Sequence, residues 1–582
     1  MDTARRRISL LSRTITPPTR GLHNAPDLKE QTSFGQEAGP FVPTVSRTEL
    51  DPVNFLRRSA NVYPNKIAVW HESRSYAYSI LATRVLNYAA SLLRLGIRKG
   101  DRVAVLLPNI PAMLESHFAV PLTGAILVTI NTRLNKDEVG YILRDCGARI
   151  LVVDHELLDL VGGDQARTGN LEHIVRVDDT GSDIDPYEQF IYSSAKNTLD
   201  RPPCWTDFPS RSDERETISI NYTSGTTGRP KGVMYHSRGA YLNALSECLE
   251  MGMSSESVYL WTLPMFHCNG WCFPWATVAA GATNVMLRKI DYAQIWTLLT
   301  TLNVSHYCGA PTVHTSIIHH PAARRLPQQV KCMIAAAPPS PTMIAKMMEL
   351  NFVPVHVYGL TETYGPITIC AWQSHWKTLT PVEQAALLSR QGQNYTVADE
   401  VRIVDENMND TPWDGETMGE VVMRGNNVMT GYYNDSVGTA KAFQGGYFHS
   451  GDLGVRHPDG YIELRDRAKD IIISGGENIS TILLENTILA HSSVFECAVV
   501  SSPHDKWGEV PVAYVVLKPD ASIPIDRIPD EIVQWCKQTL AGFQVPKGVK
   551  VLKELPRTST GKVRKTVLRD MEWSGKTKRI QG

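Results

Sequence analysis

Short apolar runs alternate with stretches of helical period along this chain, and that alternation limits the available folds more than any other feature. "KIAVW" (66–70) and "RVAVLLP" (102–108) read as strands; between them "SILATRVLNYAASLLRLGI" (79–97) has apolar residues at helical spacing up to Gly96. The helix-like "KDEVGYILRDC" (136–146) and the strand-like "ARILVVD" (148–154) repeat the theme. Such alternation predicts parallel sheets covered by helices, the α/β class. A charged run, "RDRAKD" (465–470), interrupts it. Beyond it comes a fresh set: "IIIS", the helical "TILLENTILAHSSV", "ECAVVSS", "PVAYVVLK" and a helix around "DEIVQWCKQTLAG". The 582 residues exceed what one hydrophobic core organises, so a second, smaller α/β domain is expected.

Composition excludes some functions. With 59 Lys+Arg against 60 Asp+Glu, the chain offers no electrostatic reason to bind nucleic acid. The ten cysteines are scattered without a CxxC pair, which reads as free thiols. "HCNGWC" (267–272) lacks the second half a zinc site needs. The apolar run "HFAVPLTGAILVTI" (117–130) is short for a bilayer and contains Pro121 and Gly124, so it reads as core and no integral membrane span is expected. The start differs from the rest: Arg5, Arg6, Arg7, Arg13 and Arg20 stand among Ser and Thr against one acid, Asp2. That pattern predicts an organelle presequence over 1–25, a linker over 26–44 and a mitochondrial matrix location, with plastid or cytoplasm as alternatives.

The stretch richest in chemistry is "YTSGTTGRPKG" (222–232). It is not a Walker A loop: Gly225 and Gly228 are too close, and Pro230 before Lys231 biases Arg229 toward extended backbone, so no helix opens at this lysine. "TISINY" before it and "GVMYH" after it alternate like strands, and helix signals begin at Ser237, a plausible N-cap. A loop of this composition, joining two strands, presents backbone N–H groups and hydroxyls to phosphate oxygens.

This string, with "YGLTET" (358–363), "YFHSGDLG" (447–454), "RDRAKDIIISGGENIS" (465–480) and "PRTSTGKVRK" (556–565) in that order, resembles the acyl-adenylate-forming (AMP-binding) superfamily, and within it a plant-type acyl-activating enzyme. The resemblance spans about residues 50–570. It implies a large N-terminal domain (45–465) of parallel sheets with helices plus a β-barrel-like part, a hinge (466–470) and a small mobile C-terminal α/β domain (471–582). It also implies a reaction: a carboxylic acid attacks the α-phosphate of ATP, pyrophosphate leaves, and a thiol displaces AMP from the acyl-AMP. Splitting the reaction makes chemical sense, because a carboxylate is anionic and has a poor leaving group, whereas its mixed anhydride with AMP is neutral at carbon and has a good one.

Carried over by motif, Thr223, Ser224, Gly225, Thr226, Thr227, Gly228 and Lys231 hold the β- and γ-phosphates. Tyr358 and Gly359 pack around adenine, Thr361 bonds the α-phosphate, and Glu362 ligates Mg²⁺, a hard cation that favours oxygen. Asp452 and Arg467 reach the ribose, and Lys469 occupies the hinge. Lys562 enters the site for adenylation; Gly475, Gly476 and Glu477 approach the CoA pantetheine in a second orientation. His267 flanks the reacting carboxylate, and Trp271 gates or lines the acyl tunnel. Ala335 and Ala336 stand where the family commonly has glycine, before Ala337 and Pro338 between the adenine and acyl sites; their methyl groups are expected to narrow the tunnel. With Trp271 and Trp275 nearby, a short- or medium-chain or aromatic acid is expected. The expected partners are that acid, ATP, Mg²⁺ and CoA. A carrier-protein thiol as acceptor and an inactive acyl- or nucleotide-binding relative are the rival readings.

Overall fold

The computed structural model describes residues 47–161, 170–192, 201–223, 229–519, 521, 523–557 and 562–575. The expected presequence (1–25) and linker (26–44), the loop residues Ser224, Gly225, Thr226, Thr227 and Gly228, and the turn 558–561 lie outside them. Residues 49–582 form one compact unit.

Two large, mainly parallel sheets dominate it. The first runs in the order His173–Val177, Ile150–Asp154, Arg102–Leu106, Ile126–Thr129 and Thr217–Tyr222, all parallel, followed by Gly232–His236 and Gly431–Tyr432, each antiparallel to its neighbour. The second has six parallel strands, Ile67–His71, Thr283–Val285, Val258–Leu260, His306–Gly309, Val330–Ile334 and Phe352–Leu360, and antiparallel strands at its edges. The helices Tyr78–Arg94, Pro111–Leu122, Ser237–Met251 and Phe273–Ala280 pack into the core shared by both sheets. Pro111–Leu122 is buried on every side, which is why it reads as apolar throughout rather than amphipathic. Burying Met113, Leu114, Phe118 and Val120 there stabilises the core by about 1.5–3 kcal/mol per side chain.

Amphipathic helices cover the outer faces. Lys136–Cys146 starts with an Asn135–Glu138 capping box and ends at Gly147, whose φ of 60° is the left-handed C-cap. Tyr292–Thr301 and Pro341–Glu349 cover the second sheet. A four-stranded antiparallel sheet, Ala398–Val404, Gly419–Gly425, Phe448–Arg456 and Ile462–Arg467, follows, and a Gly392–Ile462 bridge ties it to the edge of the second sheet. Beyond it a small α/β region packs the helices Thr481–Leu489 and Ile528–Lys537 on the long antiparallel pair Val494–His504 and Gly508–Leu517. The parallel sheets and the smaller C-terminal α/β part match the architecture expected from the alternation.

The glycine-rich loop joins two strands as expected, for Tyr222 pairs with Gly232 across it. One local expectation is corrected. Ser237 is the first helical residue and not the N-cap; its hydroxyl donates to Leu50 O (2.8 Å). The cap is His236, whose Nδ1 accepts from Gly239 N–H (2.9 Å).

Candidate active site

The C-terminal ends of both parallel sheets and the small α/β region enclose one cavity of about 1610 Å³. Its lining includes Thr223, Lys231, His267, Ala336, Ala337, Pro338, Tyr358, Gly359, Thr361, Glu362, Asp452, Arg467, Lys469 and Lys562. Residues 339 positions apart in the chain (223 and 562) thus meet in one place.

Asp452 and Arg467 face each other because their strands pair in that register. Asp452 is 5% exposed; its carboxylate accepts from Tyr358 Oη (2.7 Å) and lies 3.2 Å from Arg467 Nε. A buried carboxylate requires such partners. Gly359 must be glycine: a β-carbon there would lie 1.8 Å from Gly365 O. Glu362 follows on a short turn; its carboxylate accepts from Tyr432 Oη (2.9 Å), and burial raises its pKa. Lys231 pairs with Asp435 (2.9 Å) and lies 4.6 Å from the Tyr432 ring centre.

Lys562 projects into this cluster. Burial and the Arg467 guanidinium pull its pKa below the ordinary lysine value, against Cys268, Asp452 and Glu362. Burial, followed by Lys562 and Arg133, lowers His267 to about 3, so its imidazole is neutral at physiological pH. Cys268 donates its thiol hydrogen to Thr361 Oγ1 (3.3 Å), and burial pushes its pKa up to about 11.

The backbone beside His267 is unusual. Cys268, Asn269, Gly270, Trp271 and Cys272 have φ of 50, 48, 55, 53 and 67°, a left-handed turn of five consecutive residues. Left-handed helical geometry costs roughly 1–2 kcal/mol for each non-glycine residue. A polar grip from the first sheet holds it: Asn269 N–H donates to Asn221 Oδ1 (3.1 Å), Asn269 Nδ2 donates to Ser219 Oγ (2.9 Å), and Thr129 Oγ1 lies 3.0 Å from both Asn221 Oδ1 and Phe266 O. The turn throws the Trp271 indole against the Gly365 α-carbon, where a β-carbon would come within 2.9–3.1 Å of Trp271 atoms.

Trp271 (3% exposed) and Ala335 (7%) are packed in the core outside the cavity lining, so neither is a tunnel-lining side chain as expected. Ala336 lines the cavity at φ 78°, a left-handed position that favours glycine, which accounts physically for the glycine expected there. Gly475, Gly476 and Glu477 sit away from the cavity on a turn joining Ile472–Ser474 to Glu477–Ile479, with Gly475 packed on the exposed Trp507 ring. Sequence reasoning missed Tyr432 and Tyr235, whose hydroxyl donates to Thr361 O (2.7 Å); neither tyrosine falls in a recognisable motif.

The model of the AMP-binding enzyme family matches residues 56–433, and that of the AMP-binding enzyme C-terminal domain matches 483–562. An acetate–CoA ligase of Humulus lupulus is 41% identical over 90% of this chain and 94% of its own length. A peroxisomal acetate/butyrate–CoA ligase of Arabidopsis thaliana is 39% identical (91% and 95%), and a peroxisomal trans-cinnamate:CoA ligase of Petunia hybrida 40% (90% and 94%). The o-succinylbenzoate CoA synthetase of Bacillus subtilis, solved with its acyl-adenylate intermediate, superposes with a TM-score of 0.74 at 26% identity, covering 89% of this chain and 98% of its own.

The chain belongs to the AMP-binding enzyme family. Within it, the chain is an AMP-forming acid–CoA ligase: it activates a carboxylic acid with ATP as the acyl-AMP and transfers the acyl group to CoA. The mitochondrial expectation is corrected, because relatives whose names state a compartment are peroxisomal. A basic, hydroxyl-rich start is a compositional signal, and composition alone did not identify the compartment.

Proposed function

We propose that the acid is a short aliphatic one. The observation carrying this reading is the bulk of the buried Trp271, held against Gly365 in the left-handed turn that directly follows His267. The names of the acetate and acetate/butyrate ligases support the same size class.

In this reading Asp452 and Arg467 orient the ribose, and Tyr358 and Gly359 bound the adenine. Lys231 and the glycine-rich loop bind the departing phosphates. Glu362 fits a Mg²⁺ site of the kind that uses one carboxylate beside substrate phosphates, since its oxygens face the cavity next to Lys231 and Tyr432; the bound ion would neutralise phosphate charge. Neutral His267 packs beside the carboxylate without adding a charge to it. Lys562 stabilises negative charge as the carboxylate oxygen meets the α-phosphate. Residues 466–470 are the hinge, with Lys469 the pivot between a body of 45–465 and a mobile part of 471–582. Turning there withdraws Lys562 and brings Gly475, Gly476 and Glu477 toward CoA.

The test is a panel of C2 to C10 acids and cinnamate with ATP and CoA, reading AMP and acyl-CoA by mass spectrometry. Acids of two to four carbons should dominate; best turnover with octanoate or cinnamate would overturn the size assignment.

A further inference from the structure

A buried relay crosses the hinge, and three of its members, Asp466, Glu485 and Lys565, also line the cavity. Asp466 stands before Lys469 on the strand Ile462–Arg467; Thr481, Glu485 and Lys565 stand after it. Asp466, 3% exposed, accepts with one carboxylate oxygen from both Thr481 N–H and Thr481 Oγ1, each at 2.6 Å. It therefore caps the first turn of the helix Thr481–Leu489 from outside that helix, a favourable place for an anion. Lys565 Nζ donates to the same Thr481 hydroxyl (2.6 Å) and pairs with Glu485 (2.7 Å). Burial opposes the charge of Lys565, yet Glu485, Asp466 and Asp470 hold its pKa above the ordinary lysine value. Beside the relay, Ser480 Oγ donates to Arg465 O, a second bond across the hinge.

Lys565 lies three residues beyond Lys562 in the sequence. One short segment thus places Lys562 in the active site and Lys565 on the relay. Any rotation at Lys469 that withdraws Lys562 moves Thr481 relative to Asp466 and breaks both short bonds. In this structure the relay and the insertion of Lys562 into the cavity occur together.

We propose that Asp466, Thr481 and Lys565 are positioning residues that latch the small domain in the orientation for adenylation, and that releasing this latch gates the change to thioester formation. The inference rests on the two-orientation reading above. Asp470, paired with Arg569, is not part of the gate, since both stand after Lys469.

The test compares two half-reactions in the full chain: acid-dependent ATP–pyrophosphate exchange, and thioester formation from preformed butyryl-AMP and CoA. Asp466→Asn and Thr481→Val should each slow exchange at least tenfold and leave thioester formation unchanged or faster. Thr481→Ser, which keeps the hydroxyl, should restore exchange to within twofold of wild type. The Asp466→Asn/Thr481→Val double variant should lose no more than the worse single one, because both cut the same relay. Equal loss in both half-reactions, or failure of serine to rescue, overturns the latch, as does a double loss equal to the product of the singles. Lys562→Ala is the control for the underlying reading. If it impairs both half-reactions equally, the two-orientation reading fails, and the latch with it. If it impairs only exchange while Asp466→Asn and Thr481→Val do not, the latch alone is refuted.

Discussion

Removing the Trp271 indole should lengthen the acids the enzyme accepts, and the backbone at this residue makes the experiment unusually specific. Trp271 is 3% exposed and sits at φ 53°, inside the left-handed turn and against the α-carbon of Gly365. Truncation of a buried tryptophan to alanine costs about 3–5 kcal/mol of stability. Glycine, normally the worse replacement, escapes the left-handed penalty of roughly 1–2 kcal/mol that alanine retains, so Trp271→Gly should be the more stable of the two variants. Hexanoate extends four methylenes beyond acetate. At about 0.8 kcal/mol per buried methylene, a pocket opened behind His267 gains about 3 kcal/mol for the longer acid. The ratio of kcat/KM for hexanoate over acetate should therefore rise about 10²-fold in Trp271→Gly. The assay is coupled AMP release at saturating ATP and CoA, with thermal melts to confirm folding and rank the two variants. A folded Trp271→Gly enzyme with the wild-type ratio would falsify the assignment of the indole as the wall of the acyl site.

Other consequences of the site are open to measurement. Asp452→Asn removes a carboxylate bonded to Tyr358 and Arg467, and at about 1.5–3 kcal/mol for a bond to a charged group the Kd for ATP should rise at least about tenfold by calorimetry; an unchanged Kd removes Asp452 from the nucleotide site. Because the pKa of Lys562 is lowered, its charge is lost at a lower pH than that of an ordinary lysine. Pyrophosphate exchange should accordingly fall on the alkaline side below about pH 10.4, and Lys562→Arg should move that limb upward even if its rate is low; an alkaline limb indifferent to this substitution would show that another group titrates. Burial holds His267 near 3 and His117, His314 and His356 near 4, so these four stay neutral in the folded chain while the unfolded chain protonates them below about 6.5. Their contribution to stability is complete above pH 6.5 and is lost as pH falls, with a slope approaching about 5 kcal/mol per pH unit near pH 5. Urea midpoints that stay flat from pH 7 to 4.5 would contradict this.

What the sequence disclosed, and what it withheld, divides along the range of the interactions. Strand–loop–strand patterning placed the 222–232 loop correctly, because two-residue alternation is local. Motif resemblance assigned Asp452 and Arg467 to one ribose without showing that they pair, and register across adjacent strands is what brings them together. Tyr432 and Tyr235 escaped because their partners lie 70 and 126 residues away, and an isolated tyrosine carries no sign of what its hydroxyl meets. The left-handed turn was equally hidden. Of Cys268, Asn269, Gly270, Trp271 and Cys272, only asparagine and glycine favour that geometry, and the hydrogen bonds that enforce it come from Thr129, Ser219 and Asn221. Ser237 misled for a simpler reason: the residue before it, a histidine, supplied the cap.

The buried Cys268 thiol carries a consequence for the enzyme's own survival. An acyl-AMP is an acylating reagent, and in the reading proposed above this chain generates it in the cavity that Cys268 lines together with Lys562 and Thr361. A free cysteine with a pKa of about 8.5 is roughly a tenth thiolate near pH 7.5; at about 11, the thiolate fraction falls below about one in a thousand. The protonated thiol is a poor nucleophile, so the side chain next to the intermediate is chemically silent and the acyl group waits for the incoming thiol instead of marking the protein. Burial at this position protects the enzyme from becoming its own acceptor.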